Sequence, residues 1–371
     1  MKFIKIPAFA IVILLLMQIV SKVFIAIDSS DIENIYGFYA EPKNSLDMVM
    51  IGPSEVYTGY APALAWEEYG LKSCNLSIGA VPCNMYKSIV TEIVKRQKPK
   101  LLIINAAAFS HGNWNLTDEV FLRKWIDNIP MSQNKLDTVK TIPKNINKDD
   151  EKVKDNISDT LYFPLEKYHG NWKDPDAVYT SFVTRTYMRL SGGGYLKGFF
   201  SKTGITGGRD NLANIGQPTK EAYVLTDECR AYLKELLSYC NKLGVEHVLL
   251  LQPPHETQAA DKSGLEQIES ITKEYGYDFL DLSTDYESIV GIDDSHDFAD
   301  FEHLNAYGAQ KLSSYIGNMA VNQYGIKSDT AKSELSRWKK SVKRTKKALK
   351  MAREYTDRGE AQVVGEYEAA K

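Results

Sequence analysis

The sequence predicts a parallel α/β domain, and three observations carry that prediction. Short apolar runs ending at Gly or Pro alternate with longer segments whose apolar positions recur at helical spacing, the pattern of βαβ units around a parallel sheet. The composition, 43% hydrophobic and 25% charged, is that of a globular protein and excludes disordered, collagen-like and polytopic membrane chains. A chain of 371 residues is also long enough to bury a sizeable core in one large domain or two modest ones.

The elements follow in order. Lys2 and Lys5 precede an apolar run over residues 6–20, interrupted only by Gln18; Ser21 and Lys22 follow, then five more apolar residues. A spanning helix needs about 20 largely apolar residues, and residues 6–27 supply them if Lys22 snorkels to a headgroup. A signal peptide shares the charged start and apolar core, but Phe24-Ile25-Ala26-Ile27-Asp28 is a poor cleavage site. Residues 1–27 are therefore read as an uncleaved transmembrane anchor with the body outside the cytoplasmic membrane, and 28–44 as a polar connector.

Residues 47–51 form an apolar run that stops at Gly52-Pro53, as a buried strand does. Met85, Ile89, Val90 and Ile93 mark a helix over 82–97, closed by Pro99, and 101–104 is the next strand. Thr226 can cap a helix running to Lys242, with Cys229, Leu233, Leu236, Leu237 and Cys240 on one face and Gly244 just past its end. Strands over 245–251 and 277–282 flank a helix over 264–275, and a helix over 305–321 ends the α/β body, residues 45–326. Residues 110–217 break the rhythm and read as a long insertion. Within it, 132–160 is Lys/Asp/Asn-rich and reads as a solvated excursion, and the glycine-rich stretch 191–208 as a flexible loop.

The formal net charge of −3 argues against a nucleic-acid partner. That average hides a tail, residues 327–371, with 13 Lys/Arg against 7 Asp/Glu. Leu335, Trp338, Val342, Thr345, Leu349 and Ala352 give the tail a narrow helical stripe among basic residues. Two readings stand for it: a solvated helix packed on the body, or a basic amphipathic helix on anionic lipid or teichoic polymer. The four cysteines are too few for a disulfide scaffold and lack metal-ligand spacing. All four are read as free. Cys229 and Cys240 are three turns apart, and Cys74 and Cys83 are the one pair that a loop could bring together.

In an open parallel sheet, reactive groups gather at the carboxyl ends of strands. Gly52-Pro53-Ser54-Glu55 places a serine on a tight turn into a helix, where its hydroxyl can attack and its N–H can hold an oxyanion; a plain helix cap would use the same residues. Asp300-Phe301-Glu302-His303 sets an acid three residues before a histidine, close enough to fix its tautomer. Asp293, Asp294, His296, Asp297, Asp300 and Glu302 also crowd together, which keeps a metal site as a competitor. Asn75-Leu76-Ser77-Ile78-Gly79 delivers a glycine whose N–H can approach a substrate oxygen.

Taken together, these segments resemble the SGNH (GDSL-like) hydrolase superfamily, and more closely its membrane-anchored branch, which includes the D-alanyl transfer protein of lipoteichoic acid synthesis and the alginate O-acetylation proteins. The resemblance runs from the N-terminal anchor through Glu41-Pro42-Lys43-Asn44-Ser45-Leu46-Asp47 to about Tyr324. It rests on Ile51-Gly52-Pro53-Ser54, on Phe163-Pro164-Leu165-Glu166-Lys167-Tyr168-His169 with Trp172, and on residues 300–308. It implies a three-layer sandwich, Ser54 as nucleophile, His303 as base, Asp300 as its orienting acid and Gly79 as an oxyanion donor. The chain departs from the pattern in two places. Pro53 stands where hydrolases usually have Asp, and Asn105-Ala106-Ala107-Ala108 replaces the Gly-x-Asn-Asp block, leaving Asn105 to supply that amide.

His169, Trp172 and His255 are candidates to line a substrate groove; packed aromatics would explain the first two equally well. The expected function is ester or acyl-transfer chemistry on a cell-surface polymer, with no cofactor and no metal, beside a membrane-bound O-acyltransferase partner. The alternative is a non-catalytic glycan-binding scaffold of the same fold.

Overall fold

The computed structural model describes residues 2–26, 28–110, 112, 115–142, 157–207, 222–254 and 261–370. Five strands form one parallel sheet: β1 (Met48–Gly52), β2 (Ser73–Ser77), β3 (Leu101–Asn105), β4 (His247–Gln252) and β5 (Asp278–Asp281), in the order β2-β1-β3-β4-β5. Alternation along each strand splits the core in two. Val49, Ile51, Leu102 and Ile104 face one helical layer, while Met48, Met50, Leu101 and Ile103 face the other. The result is three layers with a central sheet. β1 lies between β2 and β3, so the chain leaves it in one direction and returns on its other side. The crevice at the carboxyl ends of β1 and β3 is the switch point of the sheet.

The predicted helices form as the sequence indicates. Asp227–Leu243 is capped by Thr226, whose hydroxyl accepts from the Cys229 N–H at 3.2 Å, and it stops at Gly244 with φ +67°. Tyr86–Arg96, Ser263–Glu274 and Ala306–Asn322 complete the layers.

Three segments differ from their sequence reading. Residues 28–44 are not a connector: Ser29–Ala40 is a helix whose Ile32, Ile35, Tyr36 and Phe38 are buried in the core. Its apolar spacing is helical, and its charged residues look inward, which is why it reads as polar. The excursion at 132–160 contains the helices Gln133–Thr141 and Ile157–Tyr162, with residues 143–156 outside the described set. The stretch 191–208 is packed rather than flexible as far as it is described. Leu196, Phe199 and Phe200 are buried in it, and Lys197 makes a buried ion pair with Glu41 at 2.7 Å. Gly198, at φ +81°, is what permits the approach to β2, since a Cβ there would fall 2.6 Å from the Asn75 carbonyl oxygen.

The tail packs on the body. Its helix, Lys332–Asp357, buries Trp338, Val342, Thr345, Leu349 and Ala352, and Trp338 stacks on Trp66 at 5.5 Å. Beyond it, Val363–Val364 pairs antiparallel with Ser201–Lys202. All four cysteines are free and buried, and it is Cys83 and Cys229 that approach, with their sulfurs 3.6 Å apart.

Lys2–Phe24 is one continuous helix. Among the described residues no helix is long and apolar enough to cross a membrane. Lys22 does not snorkel: its Nζ donates to the carbonyl oxygens of Asp127 and Ile129, so the end of this helix is docked on the insertion.

Candidate active site

The first side chain of the site is positioned by backbone crowding. β1 ends at Gly52, where a Cβ would lie 2.4 Å from the Asn105 Cβ and 2.7 Å from the Val56 Cγ2. Only glycine lets the ends of β1 and β3 pass this closely. Pro53 then turns the chain into the helix Ser54–Gly59, and the Ser77 hydroxyl donates to the Pro53 carbonyl at 2.6 Å to pin the turn. Ser54 occupies the first helical position, where an N–H has no acceptor within its own helix.

The second segment precedes Ala306–Asn322. The Asn305 side chain caps that helix, accepting from the N–H groups of Tyr307 at 2.9 Å and Gly308 at 3.3 Å. Its amide donates to the carbonyls of His296 and Gly204, tying the loop at both ends. Asp300 Oδ1 accepts from the backbone N–H groups of Glu302 (3.0 Å) and His303 (2.9 Å) and from His303 Nδ1 at 2.7 Å. With Nδ1–H donated to the carboxylate, the lone pair of Nε2 is left to accept the Ser54 hydroxyl, 2.7 Å away. Ser54, His303 and Asp300, drawn from residues 249 apart in sequence, thus form one continuous relay.

A residue that sequence reasoning missed completes it. Lys202 donates its ammonium to Asp300 Oδ2 and stands 3.3 Å from His303 Nδ1. It is delivered by the two-residue strand Ser201–Lys202, which the tail holds through Val363–Val364 and through Thr203, whose N–H donates to the Gln362 carbonyl at 3.1 Å. No local motif announces it, because the pairing partner is some 160 residues away. Burial alone would raise the Asp300 carboxyl; the His303 hydrogen bond and the charges of His303 and Lys202 outweigh it and hold the group far below the usual carboxylate range.

The two proposed oxyanion donors stand differently. Asn105 lies beside the Gly52-Pro53-Ser54 turn, and its Oδ1 is occupied by the Ala107 N–H at 2.7 Å, which leaves Nδ2 as the donor that can face a ligand. Gly79 does not present a free N–H, since it donates to Asp31 Oδ1 at 2.7 Å. Asp31 comes from the helix that read as a connector, and Lys124 closes the cluster by reaching the Gly79 carbonyl at 3.2 Å.

Of the groove candidates, His169 and Trp172 are not gathered at the relay. His169 and Trp172 lie in the turn His169–Lys173, which packs against Lys2–Phe24 and Pro175–Ser191; the imidazole bonds the Glu166 carbonyl, and Trp172 is exposed. His255 lies outside the described residues. The acidic loop has other partners than a metal. Asp297 is buried and takes Lys311 at 2.6 Å and the Asp293 N–H at 2.8 Å, and Asp294 takes Tyr286 at 2.7 Å. Among the described residues no group of His, Cys, Asp or Glu is arranged to hold a metal ion.

Fold and site together define a parallel α/β protein with a serine–histidine–aspartate relay at its switch point. No family model matches the chain, and no curated protein matches it.

Proposed function

We propose that the chain is a membrane-tethered, extracytoplasmic serine esterase or O-acyltransferase of the SGNH type, acting on a cell-surface polysaccharide or teichoic polymer. The observation that carries this reading is the relay itself, Ser54 Oγ to His303 Nε2 and His303 Nδ1 to Asp300, each at 2.7 Å. In the reaction, Ser54 Oγ attacks the carbonyl carbon of an acyl ester while His303 Nε2 takes its proton. The Asp300 carboxylate stabilises the imidazolium. The Ser54 N–H and Asn105 Nδ2 hold the oxyanion, and loss of one such donor costs about 10²–10³ in rate. The proton passes from His303 to the departing alkoxide, leaving an acyl-enzyme. His303 then deprotonates water or a glycan hydroxyl, which takes the acyl group, and returns that proton to Ser54 Oγ as the serine departs.

The anchor belongs to the same proposal. Phe9, Val12, Ile13, Leu16, Ile19 and Val20 of Lys2–Phe24 are exposed, an apolar surface that water disfavours and lipid accepts. A membrane-bound O-acyltransferase as partner fits that location.

The engaged N–H of Gly79 favours a second reading, a non-catalytic glycan-binding scaffold that assists such a transferase. One experiment separates the two. The full chain in detergent micelles is incubated with a fluorophosphonate probe and assayed on an aryl acetate. Labelling and turnover that disappear in Ser54→Ala and His303→Ala are the expected result. An unlabelled, folded wild type that still binds the polymer would overturn the enzyme.

A further inference from the structure

The helix Pro175–Ser191 has two unlike faces. Ser181, Thr184, Arg185 and Met188 are buried where it packs on Ser29–Ala40 and on the end of Lys2–Phe24. The opposite face carries Tyr179, Phe182 and Leu190, which are 68%, 49% and 84% exposed, and Trp172 just ahead of the helix is 65% exposed. Intervals of three and eight residues keep Tyr179, Phe182 and Leu190 on one side of the helix, and Trp172 stands in the turn that leads into it. Leaving all four in water forfeits the free energy that their burial would supply.

The same elements hold the end of the N-terminal helix. Asn171 Nδ2 donates to the Phe24 carbonyl at 2.9 Å, and the Arg185 guanidinium donates to the carbonyls of Lys22 and Ile25. Gln18 Nε2 donates to the Tyr162 carbonyl at 3.1 Å, and Phe163, Ile19 and Val20, the chain neighbours of those two residues, are exposed. The elements that carry the two exposed apolar sets are therefore joined at the end of the N-terminal helix. Trp, Tyr and Phe with a neighbouring lysine are the side chains that settle at the headgroup level of a bilayer. Lys173 Nζ lies 5.9 Å from the centre of the Trp172 ring.

We propose that the insertion is a membrane-interface platform: Trp172, Tyr179, Phe182 and Leu190, with Phe163, insert into the headgroup region of the bilayer and fix the height and tilt of the body. This rests on the anchor reading above. It reassigns Trp172 from the substrate groove to the lipid surface, and the occupant of this face is lipid rather than glycan or a partner protein.

The test uses the full chain reconstituted into phosphatidylcholine–phosphatidylglycerol vesicles containing no other protein. Co-flotation reports the anchor. Tryptophan emission is then quenched either by lipids carrying a doxyl group near the headgroup or by aqueous iodide. The expected result is a doxyl-quenched component that is lost in Trp172→Phe, with little iodide access. A polarity-sensitive fluorophore attached to Leu190→Cys, with the four native thiols buried, should likewise be quenched by doxyl lipid and shielded from iodide. Protein that floats while both positions stay open to iodide and unquenched by lipid overturns the platform alone. Protein that does not float overturns the anchor, and the platform with it.

Discussion

Asp300 and Asp31 have closely similar partners and opposite ionisation behaviour. Each accepts backbone N–H on Oδ1, Asp300 from Glu302 and His303, Asp31 from Gly79. Each faces a lysine on Oδ2, Lys202 in one case and Lys124, at 3.0 Å, in the other. Yet Asp300 is held far below the usual carboxylate range, whereas burial raises Asp31 despite Lys124 and Gly79. The Asp300 side chain is 33% exposed and that of Asp31 only 1%. Asp300 also gains a hydrogen bond from the imidazole, while the Lys124 ammonium lies near Asp31 Oδ2 but off its hydrogen-bonding direction. Water access and one further donor decide the sign, not the presence of a lysine. One carboxylate is built to stay charged beside a base. The other is buried and accepts the Gly79 N–H.

The largest expected effect separates the two by chemistry. Asp300→Asn leaves the imidazole without the acceptor that fixes its tautomer and should lower kcat/KM on an aryl acetate by about 10⁴-fold. Asp31→Asn keeps an acceptor for Gly79 and should leave kcat/KM within about threefold of wild type. Equal losses in the two variants would mean that Asp31 belongs to the reacting centre and would dissolve the contrast.

Stability should separate them next, through slopes of opposite sign. The unfolded Asp300 carboxyl takes up a proton as pH drops past about 4, while the folded one stays charged, so its contribution is lost as pH falls. Asp31 keeps its proton in the folded state above the pH at which the unfolded carboxyl ionises, so its contribution is lost as pH rises through that window. Thermal melts between pH 3 and 6 should therefore rise more steeply with pH in Asp31→Asn than in wild type, and less steeply in Asp300→Asn. Parallel curves for all three proteins would contradict the assigned directions.

The smallest effect is at Lys202. Lys202→Met removes a half-exposed ion pair, worth a few-fold in rate at most. It also removes one of the charges that hold Asp300 down. The acid-side loss of stability should move to higher pH, and thermal melts whose acid limb stays unchanged would show that the ammonium does not act on the carboxylate.

What the sequence discloses of this site follows the range of the interactions. Ser54 and Asp300 with His303 were legible because turn chemistry and an i, i+3 interval are local. The strands over 47–51 and 245–251 were legible for the same reason, each being a short apolar run stopped by Gly52-Pro53 or Pro253-Pro254. Lys202 was not, since the strand carrying it exists only against Val363–Val364. The occupancy of Gly79 was equally hidden, because Asp31 sits on a helix whose polar residues point into the protein. That helix did carry a signal in Ile32, Ile35, Tyr36 and Tyr39, but its charged residues masked it. Trp172 looked like a sugar-stacking residue from its composition alone; only the docking of Lys2–Phe24 beside it says which way its neighbourhood faces.

The 249-residue separation between Ser54 and His303 also has a consequence in time. A ribosome releases residues in numerical order at roughly 5–20 per second. The serine therefore precedes its histidine by on the order of 10–50 s, and over that interval it is an ordinary alcohol. The hydroxyl acquires a base only when the loop before Ala306–Asn322 arrives, after every strand of the sheet has been made. The growing chain carries this serine without its hydrogen-bond partner.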